Sequence, residues 1–409
     1  MMDLANKIFR GDRVIWMIFA FLCLISIVEV YSASSMLTFR TNFWQPIIKH
    51  TMFLLGGTVL VLLVHSFNPK YFWVFVVMLP FVWVLLVATM FLGHSVNGAN
   101  RYIFGFQPSE FAKLSLIACV AFLLSRQKNK ISESLSFWLI CSLMLGTFIL
   151  IFRDNLSTAA ILCSVVFIMM FIGQVAFKRM ALLILAAIAF SAVLFSFCWF
   201  YPNVAEKTGL HRGVVWVGRI KNYKEQPKIT KDGKIPDEIF QSTMAKVAIA
   251  RGGIFGNMPG NSHLSDFLPQ AYSDFIYAII IEETGIVGGI IVLALYVFLF
   301  IRAGTIAGRC TKLFPKLLVM GYALMISIQA LVNMAVSVGV MPVTGQPLPL
   351  VSRGGSSILT TCVFIGIILS VSRFENPRGV LQEEIIEEEF EEERRVTNEE
   401  EQLEAQPAY

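Results

Sequence analysis

Leu268-Pro269-Gln270-Ala271-Tyr272-Ser273-Asp274-Phe275-Ile276-Tyr277-Ala278-Ile279-Ile280-Ile281-Glu282-Glu283 passes from a polar loop into an apolar helix. Asp274 stands at the junction, and Glu282 and Glu283 lie inside the apolar run. Carboxylates at bilayer depth are costly and mark a functional interior. The same residues could also serve as a helix cap, for Asp274, and as a buried ion pair, for the glutamates.

Outward from this stretch the chain keeps the same character. Its 409 residues are 56% hydrophobic and 15% charged, with a mean hydropathy of +0.68. That composition excludes a single soluble core and indicates an all-α, polytopic integral membrane protein. Apolar runs predict ten spans, at 14–34, 47–66, 71–93, 109–125, 136–153, 156–176, 180–201, 275–301, 316–340 and 354–373. The first is long enough to span and has no small-residue cleavage site, so it reads as a helix rather than a removed signal. Basic residues cluster before the first span and after the second, fourth, sixth, eighth and tenth. The positive-inside rule then makes both termini cytoplasmic. The organisation is a cytoplasmic N-terminus (1–13), a membrane domain (14–373) with a large extracytoplasmic loop (202–273), and a cytoplasmic tail (374–409). From Val380 onward the tail carries twelve Glu and two Arg, a net of −10. Such a segment cannot bury a core and reads as disordered. The formal charge of the whole chain is +5, so the remainder carries +15, which suits contact with anionic lipid headgroups.

Six of the seven cysteines lie in apolar runs and none in the long loop, which argues against a disulfide scaffold. No Cys/His spacing resembles a metal site. Within the long loop, 241–254 reads as a short amphipathic helix carrying Lys246 and Arg251, broken by Gly252-Gly253. The loop 94–108 contains Asn97-Gly98-Ala99-Asn100-Arg101, an ordinary turn by composition. Pro108-Ser109 starts a helix on which Glu110 and Lys113, three residues apart, share a face and can pair. Arg153 to Thr158 reads as a tight outer turn. Pro342-Val343-Thr344-Gly345-Gln346-Pro347-Leu348-Pro349 cannot be regular helix, and such backbone survives at membrane depth only inside protein or against a watery cavity. Ser352 to Ser357 opens the last span. Its small residues, Ser356 and Ser357 among them, allow close helix approach, and Arg353 could face a phosphate. Polar groups thus gather on the outer face. They suit an anionic, lipid-linked substrate or a transporter vestibule equally well.

These motifs resemble those of the SEDS family of shape, elongation, division and sporulation proteins. Asn97-Gly98-Ala99-Asn100-Arg101 with Phe106-Gln107-Pro108-Ser109-Glu110-Phe111-Ala112-Lys113 is similar to one family signature. Leu268-Pro269 through Ser273-Asp274-Phe275-Ile276 to Glu282-Glu283 and Gly285 is similar to a second, and Pro342 through Ser357 to a third. The likeness runs from about 14 to 373 and looks closer to the division member than to the elongation member. Arg353 departs from it, standing where the family often has Tyr, and so does Asn155-Leu156-Ser157-Thr158.

The resemblance implies a peptidoglycan glycosyltransferase of the bacterial cytoplasmic membrane acting on lipid II, at the division septum. Asp274 would be its catalytic base. Arg101, Glu110, Lys113, Lys246, Arg251, Ser356 and Ser357 would bind substrate, with Glu282 and Glu283 supporting. The implied partners are a class B penicillin-binding protein transpeptidase, other division proteins and membrane lipids, with no nucleic acid. No motif binds a cofactor, and a divalent cation, Mg or Mn, could assist. A lipid II flippase and an elongation-type polymerase are the competing readings, and a purely structural scaffold for the division machinery is a further one.

Overall fold

The computed structural model describes residues 10–32, 44–96, 99–103, 105–127, 130–153, 155–207, 211–224, 237–260, 262 and 271–374. The acidic tail, Leu268-Pro269, Asn97-Gly98 and Asp154 lie outside them.

Apolar runs of this length satisfy their backbone polar groups internally, so they form helices. The first half holds α1 (Arg13–Ser32), α2 (Trp44–Ser66), α3 (Val74–Leu92, entered through a 3₁₀ turn at Pro69–Trp73), α4 (Pro108–Ser125) and α5 (Lys130–Phe152). Then come α6 (Leu156–Ile172) and α7 (Phe177–Phe200). The long loop carries α8 (Pro202–Lys207), α9 (His211–Lys224), α10 (Asp237–Gly252) and the single turn α11 (Ala271–Asp274). The chain finishes with α12 (Ile276–Arg309), α13 (Leu313–Ser337) and α14 (Gly355–Phe374). Among the described residues nine helices are long and apolar enough to cross a membrane, and α6, with 17 residues, is a shorter apolar helix.

Helices α4, α13 and α14 form the interior: 78% of each apolar window is buried, against 6% for α7 at the rim. Close approach rests on small residues. Gly321 of α13 lies against Ile117 of α4 and Met169 of α6, and Gly57 of α2 against Cys362 of α14. Tyr322 stacks on Phe364 at 4.7 Å and donates to the Leu114 carbonyl at 3.0 Å.

Three details differ from the sequence expectation. The loop 94–108 is more than a turn: β1 (His94–Val96) pairs antiparallel with β2 (Ala99–Tyr102). The amphipathic helix of the long loop begins earlier, at Asp237, and α9 precedes it. Helix α9 is held from outside its own sequence, by packing on α7 with Lys221 Nζ 5.3 Å from the Trp199 ring. Helix α12 runs past its apolar stretch to Arg309, because Arg302 finds a partner: its Nε and Nη2 both reach Asp12 Oδ2 at 2.7 Å. Asp12 also caps α1, accepting from Val14 N and Ile15 N, and its own N–H donates to Ser372 Oγ at 2.9 Å. The first and last spans therefore end side by side.

Candidate active site

Asp274 ends the turn α11, and Phe275 breaks the helix before α12 begins. Phe275 has φ −119° and ψ 20°, is the N-cap of α12, and makes no side-chain cap bond. Its ring is buried with Ala245 and Ala248 of α10, Ala278 and Ile279 of α12 and Val336 of α13. That burial fixes the break, and the break sets Asp274 off the helix axis. Ser273 Oγ donates to Asp274 Oδ1 at 2.9 Å, and the Asp274 carbonyl accepts from Asn333 Nδ2 at 3.0 Å. The other carboxylate oxygen faces Gly345, where an added Cβ would lie 3.6 Å away. Gly345 has φ +67°, which brings the proline-rich segment round beside the carboxylate.

That segment, between α13 and α14, is irregular backbone inside the protein. Neighbouring side chains take up its carbonyls. Tyr223 donates to Val340 O at 2.8 Å and Arg219 to Val343 O at 2.7 Å. Ser157 donates to Thr344 O at 2.8 Å, Asn333 to Gln346 O at 2.7 Å, and Gln329 to Pro347 O at 3.0 Å. Tyr296 donates to Pro349 O, and Ser26 to Val351 O at 3.0 Å. Gln346 in turn donates to Thr158 Oγ1 at 2.9 Å and Asn155 Oδ1 at 3.3 Å. In the polar knot at 153–158, Asn155 caps α6, and Asn155, Ser157 and Thr158 also hold this segment. Ser352 Oγ closes the loop on itself and on the Asp274 stretch, accepting from Leu348 N at 2.8 Å and donating to Ser273 O at 2.6 Å.

Glu110 and Lys113 form the expected pair, Oε2 to Nζ 2.7 Å, with side-chain exposures of 6% and 1%. Lys113 Nζ also donates to Gln329 Oε1 at 3.2 Å. Gln329 and Asn333 are one turn apart on α13, so one helix face joins the ion pair, the proline-rich segment and the Asp274 backbone. These two amides were missed in the sequence reading. Their signal is visible: two amide side chains four apart inside an apolar run.

The remaining candidates fall in several places. Lys246 lies against Gly339, at the start of the irregular segment, and Arg251 is exposed at the end of α10. Arg101 sits on β2, its side chain outside the described residues. Ser356 and Ser357 are buried at the start of α14, and Phe53 of α2 lies against neighbouring Gly355.

Glu282 and Glu283 are buried in α12 just before Gly285, which has φ +73° and kinks the helix. Ser262 donates to Glu282 Oε2 at 2.6 Å, and Ser32 donates to Glu283 Oε1. The helix break is filled by the strand of chain after α10. Asn257 N and Met258 N donate to the carbonyls of Glu282 and Glu283 at 3.0 and 2.9 Å. Ile286 N and Val287 N donate to Gly253 O and Ile254 O at 3.0 and 3.4 Å. Among the described residues no three His, Cys, Asp or Glu side chains gather as a metal-binding group.

Among the described residues, nine long apolar helices and the shorter α6 surround an irregular, side-chain-clamped segment with the Asp274 carboxylate beside it, and together they define a multi-pass helical membrane protein with a polar site at one end of the bundle. The chain belongs to the cell cycle protein family of FtsW, RodA and SpoVE, whose profile matches residues 12–377. It is 30% identical over 390 residues to the probable peptidoglycan glycosyltransferase FtsW of Trichlorobacter lovleyi, covering 91% of this chain and 96% of that one. It is 33% identical over 377 residues to the protein of the same name from Haemophilus influenzae, covering 88% and 90%. The fold is like that of a chain in a peptidoglycan synthase complex, with a TM-score of 0.69 and 24% identity over 90% of this chain and 99% of that one. It is also like the rod shape determining protein RodA of Thermus thermophilus, with a TM-score of 0.62 and 23% identity over 89% and 97%.

Proposed function

We propose that this chain is a peptidoglycan glycosyltransferase that polymerises lipid II on the outer face of the bacterial cytoplasmic membrane during septal wall synthesis. The observation that carries the reading is the placement of Asp274. Its carboxylate stands off the helix axis beside Gly345, while its backbone is tied to Asn333 and its neighbour Ser273 to Ser352.

The reaction needs one base and stabilisation of a diphosphate leaving group. Asp274 takes the proton from the acceptor sugar's 4-hydroxyl as that oxygen attacks the donor's anomeric carbon. The glycosidic bond forms with inversion as the bond to undecaprenyl diphosphate breaks. Lys246, which lies against Gly339 at the start of the irregular segment, would offset the charge that develops on the diphosphate, with Arg251 and Arg101 as further candidate cations. Lys113 stays paired with Glu110 and acts through Gln329 on the loop. In this reading both termini are cytoplasmic, 202–273 is outside, and a class B penicillin-binding protein and other division proteins are the partners. A flippase would require a polar path across the whole bilayer. Here the inner halves of the central helices bury Leu317, Leu318, Val319, Ile367, Ile368 and Leu369 instead.

Purified chain mixed with lipid II should make glycan strands. Asp274→Asn keeps the size of the side chain and should slow polymerisation by about 10²–10⁴, the usual worth of a general base, with little change in melting temperature. Near-normal turnover in that variant would overturn the assignment of Asp274. Lipid movement without polymer in the parent would overturn the enzyme reading. Adding or chelating Mg or Mn in the same assay tests for an assisting cation, and labelling of Lys231→Cys from outside cells tests the topology.

A further inference from the structure

At the opposite end from Asp274, where Asp12, Arg302 and Ser372 meet, helices α3, α4 and α13 part to leave a cleft with two lobes. One, of about 740 Å³, is lined by Ser125, Arg126, Lys312, Leu313 and Phe314. The other, of about 560 Å³, shares Ser125, Arg126 and Phe314 and adds Lys70, Trp73, Val76, Val77 and Phe122. Three cations therefore face one cleft, and among the described residues no carboxylate lines either lobe.

Two further features favour an anion there. Lys312 is the N-cap of α13, a helix of 25 residues, with no side-chain cap bond and no acidic residue in the first turn. The first N–H groups of a helix lack intrahelical partners, and they and the helix dipole attract negative charge. Arg126 is also held in place: its guanidinium carbon sits 4.7 Å from the Phe122 ring centre, and Phe122 packs edge-on to Phe314 at 6.1 Å. The cleft is amphipathic. Its cations lie at the helix ends, while Val76, Val77 and Phe122 extend along the bundle, with Val77 and Trp73 exposed on the lipid-facing side.

We propose that this cleft binds an anionic phospholipid, its phosphate between Arg126, Lys312 and the first turn of α13, and an acyl chain along Val76, Val77 and Phe122. Charge complementarity selects the occupant. A zwitterionic headgroup would bring its own cation toward three others, whereas phosphatidylglycerol brings only the phosphate. Each cation near such a headgroup is worth about fivefold in affinity, so the three together are worth about a hundredfold.

The test is titration of the purified full chain with phosphatidylglycerol or phosphatidylcholine, with bound lipid counted by native mass spectrometry. The parent should retain phosphatidylglycerol in preference. Lys70→Gln combined with Arg126→Gln and Lys312→Gln should lose it by about a hundredfold while eluting as a single species with an unchanged melting temperature. Val77→Trp, which fills the groove and leaves all three cations, should lose it as well. A comparison triple of Arg13→Gln, Lys178→Gln and Arg309→Gln removes the same charge elsewhere and should bind as the parent does. Equal loss in that triple would mean unspecific surface attraction and would overturn the site. So would undiminished binding in the cleft triple, or displacement of the lipid by millimolar inorganic phosphate.

Discussion

The membrane domain breaks its helical backbone in two ways. Between α13 and α14 the chain leaves the helix for the seventeen residues 338–354, and side chains from five helices take up the carbonyls it exposes. At Gly285 the break is a single residue, and backbone from 253–258 repairs it, N–H to carbonyl in both directions. The first solution spends many different side chains and tolerates the loss of one. The second uses no side chains and depends on atoms that are absent. A Cβ on Gly285 would lie 2.1 Å from Ile254 O, and one on Gly256 would lie 2.1 Å from Glu283 O. Side-chain repair should therefore fail gradually, and backbone repair abruptly.

Gly285→Ala should have the largest effect. It adds a methyl onto a carbonyl at positive φ, and about 5 kcal/mol or more of destabilisation is expected, the range of exceptional substitutions. The readout is the yield of monodisperse protein in detergent. Normal yield and melting temperature would mean that the strand after α10 can be displaced without cost. Lys113→Met comes next. It leaves Glu110 buried without its cation and removes a bond to Gln329, a cost of about 3–5 kcal/mol, read as a lower melting temperature and slower polymerisation. Asn333→Ala then tests gradual failure. It removes donors to Gln346 O and to Asp274 O, about 1–3 kcal/mol. It should lower the polymerisation rate more than the stability, because one of its two partners is the backbone of Asp274. The smallest effect has the opposite sign. Gly304 lies in the same helix as Gly285, has nothing within 4 Å of an added Cβ, and is not at a break. Gly304→Ala should stabilise by about 0.5–1 kcal/mol. Thermal melts of the four variants side by side would separate the two kinds of repair.

The two breaks also differed in how legible they were. The proline-rich segment could be seen as non-helical, and as needing enclosure, from Pro342, Pro347 and Pro349 alone. Its clamps were partly legible too: Gln329 and Asn333 stand out in an apolar run once amides are weighed along with charges. Gly285 could be placed within a family-like motif, but its φ of +73° could not. That conformation is stabilised by residues 253–258, and no local pattern announces a partner thirty residues away. The apolar helices were legible because length and apolarity are local properties, although α6, read as one of ten spans, is shorter than the other nine. The end of α12 was not, since Arg302 looked like a stop until Asp12 supplied its counter-charge. Glu110 and Lys113 could be paired from spacing, whereas the setting of Asp274 depends on Phe275, buried by α10 and α13.

Asp12 has a consequence for chain connectivity. Because its N–H reaches Ser372 Oγ at 2.9 Å, a short linker could join the end of α14 to the start of α1, and new termini could be opened at 225–236 in the long loop. In such a circular permutant the described helices would keep the neighbours they have now. The bundle's architecture is thus closed upon itself even though its chain is not.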